Sequence, residues 1–240
     1  MAVISDVHAN LHALEAVLQE VEQEEPDELW CLGDLVGYGP RPNPCCAAVQ
    51  QRAVLCLAGN HDLGVVGNID LAEFANDAVA AARWTRDVLK DDARAYLSAL
   101  RPTARRDGVE LFHASPRDPV WDYVLSAEAA GAAFELTEAP LVLVGHSHVP
   151  LTISLEHGLP DGGLAHGGTE VALAPGRKLL NPGSVGQPRD GDPRAAWLLL
   201  DLEAGHASFR RVHYDVARTQ EEIRERGLPN ALAQRLAHGI

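Results

Sequence analysis

Lysine is nearly missing from this chain. Of its 20 basic residues only Lys90 and Lys178 are lysines, against 34 Asp and Glu, and the formal charge is −14. Proteins that track phosphates along a nucleic acid do so with clustered Lys and Arg, so no extended nucleic-acid surface is expected. The deficit does not exclude a small anion, because carboxylates gathered around cations invert the local sign. Long apolar runs are missing too: none approaches the ~20 residues that a membrane helix needs. No basic flank with an apolar stretch precedes Asp6, as it would in a secretory leader. The expectation is a cytoplasmic protein without a membrane partner. Cysteine chemistry is thin. Cys45 and Cys46 are adjacent and no CxxC pair occurs, which speaks against a thiolate zinc site. Cys31 and Cys56 lie in the apolar stretches "ELWCLGD" and "AVLCLAGN" and read as small hydrophobes.

What is present fits an ordinary globular chain: 46% of residues are hydrophobic and 22% charged. Residues 1–240 are expected to form one domain, with the part from about 215 onward a C-terminal helical extension. The first half alternates strand and helix signals. "AVIS" is followed by Leu11, Leu14, Leu18 and Val21 at helical spacing, with Asn10 as N-cap. "ELWCLGD", a short helix over 42–51 that opens on prolines, and "AVLCLAGN" complete a β-α-β-α-β pattern that favours parallel pairing. Residues 70–100 are helical, with a break near Asp91. The second half is a series of short strands between Gly, Pro and Asp turns, and helix returns over 216–226 and 230–238. A mostly parallel first sheet and a mixed second one are expected. "EHGLPDGGLAHGGTE" reads as an exposed, mobile hairpin tip.

The strands repeatedly end in the same chemistry. The first ends in "SDVH" (Asp6, His8), the second in "GDLVG" (Asp34) and the third in "GNHD" (Asn60, His61, Asp62). Two later strands end in "LFHAS" (His113) and "VGHSH" (His146, His148). Ligand sites in open sheets form beyond the carboxyl ends of parallel strands, so these ends are expected to share one crevice. Asp6, His8, Asp34, Asn60, His113, His146 and His148 make a nitrogen and oxygen set without thiolate. That set suits Mn, Fe, Zn, Ni or Mg. Seven side chains exceed the needs of one such ion, whereas two octahedral ions bridged by a carboxylate and a water use them all. In extended backbone, residues two apart share a side, so Asp6 with His8, and His146 with His148, are each expected to face the same cavity.

The order D-x-H, GDxxG, GNHD, a lone His and GHSH resembles the calcineurin-like metallophosphoesterase superfamily, over roughly residues 1–200. "NPGSVGQPRDGDPRAAWLLLD" is similar to the segment that follows the last ligands in its small bacterial and archaeal members. The resemblance implies an α/β fold, a four-layer α/β/β/α sandwich of two mixed sheets flanked by helices. It assigns Asp6, His8, Asp34 and His148 to one divalent ion and Asp34, Asn60, His113 and His146 to a second. Manganese is the first expectation for both, and a bridging hydroxide would attack phosphorus. His61 matches the family's non-ligand histidine near the leaving group. Where protein phosphatases of the family carry "GDxVDRG", this chain reads "GDLVGYG", with Gly37 and Tyr38 in place of the Asp and Arg. That lowers the case for a phosphoprotein substrate and leaves the partner of His61 open, with Asp62 as a candidate.

The expected activity is hydrolysis of a small phosphodiester or nucleotide-type substrate. The alternatives are a phosphomonoesterase, a dinucleoside-polyphosphate hydrolase, or a non-catalytic metal-binding scaffold of the same fold, from which ligands would be missing. Arg117 and Arg189 are candidate substrate residues, with a surface ion pair as the competing reading for Arg117. Trp121 and Tyr123 read as core rather than as a substrate wall, and His12 as a solvated surface histidine. Asn181, Gly183 and Ser184 are expected to shape a turn beneath the site. A homo-oligomer is left open.

Overall fold

A computed structural model describes residues 1–240. The opening "AVI" is apolar throughout because both faces of its strand are covered. Strand β1 (Ala2–Ile4) turns Ala2 and Ile4 toward one core and Val3 toward another. Helix α1 (Leu11–Glu24) follows, capped as the sequence predicts: the Asn10 side-chain oxygen accepts from the Ala13 amide at 3.2 Å. Strand β2 (Leu29–Cys31), helix α2 (Pro42–Arg52) and strand β3 (Leu55–Cys56) complete the β-α-β-α-β unit, with β3, β2 and β1 parallel. Helix α3 (Asn60–Val66) grows from the turn after β3, and α4 (Asn76–Val88) and α5 (Asp91–Ala99) are separated where the sequence predicts a break.

Strands β4 (Thr103–Arg106) and β5 (Val109–Phe112), helix α6 (Ala127–Phe134) and strand β6 (Leu141–Leu143) come next. Strands β7 (Leu151–Glu156), β8 (Leu159–Leu164), β9 (Glu170–Ala172), β10 (Arg177–Asn181), β11 (Ala195–Asp201) and β12 (His206–Val212) follow, and α7 (Val216–Glu225) and α8 (Asn230–Leu236) close the chain. The strand orders are β3-β2-β1-β11-β12-β9 and β4-β5-β6-β10-β7-β8. The first sheet is therefore mixed rather than mostly parallel. Strand β11, apolar on both faces, pairs antiparallel with β1, Val3 opposite Leu198, and covers an edge that would otherwise present unpaired backbone groups.

Three cores separate four layers. Ile4, Leu14, Val17, Val49, Leu97 and Trp197 join the N-terminal helices to the outer face of the first sheet. Val3, Trp30, Leu111, Leu143, Leu180 and Leu198 meet between the sheets. Ala130, Ala133 and Phe134 of α6 cover Val142, Ile153 and Leu179 on the outer face of the second. This is the expected α/β/β/α sandwich. Helices α7 and α8 pack through Ile223, Leu232 and Leu236 onto Ala81 of α4.

Two local expectations are corrected. "EHGLPDGGLAHGGTE" is mostly exposed and turns a hairpin at His157 and Gly158 as expected, but it is more than a tip: it contains β8, the edge of the second sheet, and ends at Glu170, the first residue of β9, the edge of the first. Its glycines and polar residues reflect the exposure of an edge strand. His12 is half-buried rather than solvated, with Nε2 3.2 Å from Glu222 Oε1 of α7. No helix is long and apolar enough to cross a membrane.

Candidate metal centre

The ends of β1, β2, β3, β5 and β6 converge, but not by the route that extended backbone implies. Strands β1 and β6 stop at Ile4 and Leu143, and the candidate ligands lie in the turns beyond. There Asp6, His8, Asp34, His146 and His148 take left-handed φ values of 55°, 48°, 54°, 62° and 61°. Each such residue costs on the order of 1–3 kcal/mol, and such residues cluster at functional sites. Hydrogen bonds across the crevice hold them: the Asp6 amide donates to Gly33 O at 3.0 Å, the His8 amide to Asp34 O at 2.9 Å and the His146 amide to Asp6 Oδ2 at 3.2 Å.

The ligand atoms of Asp6, His8, Asp34 and His148 lie within 4.8 Å of one another, as do those of Asp34, His113 and His146. Asp34 belongs to both groups, and its Oδ2 is 3.6 Å from His8 Nε2 and 3.5 Å from His113 Nε2. Asn60 Oδ1, 3.3 Å from His113 Nε2, adds an amide oxygen to the second group. Backbone carbonyls orient three of the imidazoles by their Nδ1 atoms: Val36 O for His8 at 3.1 Å, Leu32 O for His113 at 2.8 Å and Gln187 O for His148 at 2.6 Å. An Nδ1–H held in this way leaves Nε2 as a lone pair, the usual outer-shell arrangement of a metal-binding histidine. His8 and His148 thus turn two lone pairs toward each other across 3.0 Å.

Asp6 Oδ1, Asp34 Oδ2 and His146 Nε2 are buried without a hydrogen-bond partner. Burial pushes the Asp6 carboxyl up to about 7 and Asp34 well above the carboxylate range, and it drives His8 and His148 well below the usual imidazole value and His146 down to about 2. Orphaned carboxylate oxygens and neutral imidazole lone pairs facing one point are costly by themselves. A divalent cation reverses both penalties. The donor set fits a metal.

The neighbouring residues divide sharply. Asp62 is not the partner of His61: its carboxylate accepts from the amides of Leu35, Val36 and Gly59 at 2.9, 3.1 and 3.0 Å and so ties the β2 turn to α3. His61 Nδ1 has no partner. The ring is placed instead by Tyr38 at 4.4 Å and Phe74 at 5.0 Å between centroids, and by Gly37, where an added Cβ would stand 2.3 Å from Nδ1. Burial takes the His61 pKa down to about 3, with the Arg189 charge adding to the effect. Gly59 is required for a similar reason, since a Cβ there would lie 1.9 Å from Asp34 Oδ1.

A cavity of about 240 Å³ stands over the cluster, lined among others by Asp34, Asn60, His61, His146, His148 and Arg189. Arg117 is not part of it and pairs with Asp122 on the exposed loop after β5. Its substrate role is set aside in favour of the ion pair. Trp121 and Tyr123 both line the cavity: Trp121 packs against the first core as expected, edge-on to Phe74, whereas Tyr123, 47% exposed, is not core and stacks on His146 at 4.2 Å. Asn181 shapes its turn as expected, donating to Gly145 O and Ser147 Oγ, while Ser184 Oγ donates to Asp6 O. Sequence reasoning missed Phe74 and Arg235, which belong to no motif and reach the cavity only through the packing of distant segments. It also missed Gln187, which lies in the segment after the last candidate ligands and accepts from the cavity-lining Arg189 and Arg235.

Residues 1–205 match the family model of the calcineurin-like phosphoesterase superfamily domain. The chain is 36% identical over 244 aligned residues to an uncharacterized protein of Methanocaldococcus jannaschii, covering 100% of this chain and 98% of that one. It is 42% identical to a crystallised metallophosphoesterase of Sphaerobacter thermophilus, with a TM-score of 0.89 over 100% of this chain and 98% of the other. A hypothetical protein of Pyrococcus horikoshii shares the fold at 22% identity, with a TM-score of 0.84 and the same coverage. The resemblance carried by the five motifs thus extends over the matched length, and the chain belongs to the calcineurin-like phosphoesterase superfamily as a hydrolase of phosphoric esters.

Proposed function

We propose that this protein hydrolyses a phosphodiester or nucleotide-type substrate at a dinuclear centre of two divalent cations, manganese first among them. One observation carries the reading: Asp34 is shared by two groups of converging ligand atoms, and its Oδ2 is buried with no partner in the protein. Cations held there would make water nucleophilic at neutral pH and neutralise the charge that builds on phosphoryl oxygens during an in-line displacement. Asp6, His8, Asp34 and His148 would hold one, and Asp34, Asn60, His113 and His146 the other. The carbonyls of Val36, Leu32 and Gln187 keep three of those imidazoles in the tautomer that offers Nε2.

The chain's other groups act on the substrate. His61, wedged between Tyr38 and Phe74 beside Asn60, donates a hydrogen bond or a proton to the departing oxygen. With no carboxylate behind Nδ1, nothing in the fold stabilises an imidazolium, so donation from the neutral ring fits the geometry better. Arg189 presents a guanidinium to the anion from the wall of the cavity.

Metal analysis of the purified protein after Mn²⁺ addition should find up to two ions per chain. None bound would refute the centre. His61→Ala should keep the metal and lose about 10²-fold or more in turnover on a diester with an alkoxide leaving group, and less on a nitrophenyl ester, whose leaving group needs little help. Undiminished turnover on the alkoxide ester would remove His61 from the chemistry.

A further inference from the structure

The cavity is floored by the candidate ligands, but one wall is cationic. Arg189, from the loop after β10, and Arg235, on α8, both line it. Neither pairs with a carboxylate, whereas Arg41, Arg194 and Arg211 all do. What joins the two is a neutral acceptor: Gln187 Oε1 receives Arg189 at 2.8 Å and Arg235 at 3.3 Å. Arg189 also reaches Tyr38 Oη at 3.4 Å and keeps its Nε buried without a partner. Burial and the nearby Arg189 charge both lower the proton affinity of Arg235. Two guanidinium groups held on one amide oxygen repel each other, and a bound anion relieves that repulsion. The carboxylates near the pair are Asp34 and, beneath it, Asp6 on the floor, Glu73 at the rim and Asp77 beyond it.

The wall is also a junction. Tyr38, Ala75, Ala78 and Arg235 line both this cavity and a second groove of about 610 Å³ between α4 and α8. Ala231, Leu232 and Ile240 give that groove an apolar side. An anion on Arg235 therefore lies between the phosphorus under attack and a space large enough for an organic group.

Resting on the metal-centre reading above, we propose that Arg235 binds a second phosphate of the substrate, next to the one attacked, and that the preferred substrates are organic polyphosphates whose organic group occupies the groove between α4 and α8. Water's oxygen bonds to the attacked phosphorus, the bond to the bridging oxygen breaks, and that oxygen leaves with the electron pair and takes up a proton. A simple diester has one charge, which Arg189 and the metal centre satisfy, and it makes no call on Arg235.

The test compares Arg235→Ala and Arg235→Lys with wild type, all loaded with Mn²⁺, on diadenosine tetraphosphate and on bis(p-nitrophenyl) phosphate. Arg235→Ala should raise KM about tenfold or more for the tetraphosphate, with kcat and KM for the aryl diester within about twofold of wild type, and Arg235→Lys should recover part of the loss. Equal changes on both substrates, or none on either, overturn the assignment. Calorimetric binding of inorganic pyrophosphate and of orthophosphate gives a readout without turnover. Arg235→Ala should weaken pyrophosphate about tenfold and orthophosphate by less than about twofold; equal weakening, or none, again overturns it. A wild type inert on both substrates would refute the proposed substrate class of the metal centre, and the calorimetry alone would then decide the role of Arg235.

Discussion

Asp34 and Asp62 show how little a residue's type says about its role. Both follow apolar strands and stand in motifs that read as chemical. Asp34 Oδ1 accepts from the His61 amide at 2.9 Å, and Oδ2 is left unpartnered between His8 and His113. Asp62 commits its carboxylate to three backbone amides and is a strut. The difference predicts metal content. Asp34→Ala should lose more than half of the metal bound by wild type, since it takes a ligand from both groups, whereas His113→Ala should lose about half. Wild-type stoichiometry in Asp34→Ala, read by inductively coupled plasma spectrometry, would show that Asp34 is not shared. All seven candidate ligands were legible in the sequence, because imidazoles and carboxylates at the ends of apolar strands have no packing role to explain them. The backbone that presents them was not, since Asp and His tolerate a left-handed φ better than most residues but do not require it.

At the scale of elements, α7 is fastened by a charge cluster. Glu222, 4% exposed, accepts from Arg41 Nε at 2.6 Å, lies 3.3 Å from Arg218 Nε and meets His12 of α1. The Arg41 hydrogen bonds hold its carboxyl at about 2, below the ordinary 4.5. In the folded protein it stays ionised while the unfolded chain takes up a proton near 4.5, so its contribution is complete above that pH and is lost as pH falls toward about 2. Urea midpoints of wild type and Glu222→Gln should differ most above pH 5 and draw together between pH 4.5 and 2; a gap independent of pH would contradict the assignment. The sequence located α1, α2, α7 and the break between α4 and α5 from periodicity and caps. It did not show β8 and β9, because edge strands with one solvated face lack the apolar signal by which strands are read.

The whole molecule is organised by the space between its sheets, where Leu143 of β6 lies fully buried beside Leu180 of β10. Leu143→Ala should cost about 2–5 kcal/mol of unfolding free energy by denaturant titration, and a value under about 1 kcal/mol would place Leu143 outside the shared core. By itself the sequence showed the alternation of strands and helices, the seven candidate ligands and the order in which the strands deliver them, since these follow from residue type and short-range spacing. The four-layer sandwich followed from the family resemblance that the motifs carry. The tertiary structure decided the rest: that β11 completes the sheet begun by β1, that Asp62 is a strut, that Arg117 turns away and that Arg235 of the last helix faces the cavity. Those outcomes depend on distances between residues far apart in the chain, and only the packing of sheets and helices against one another sets such distances.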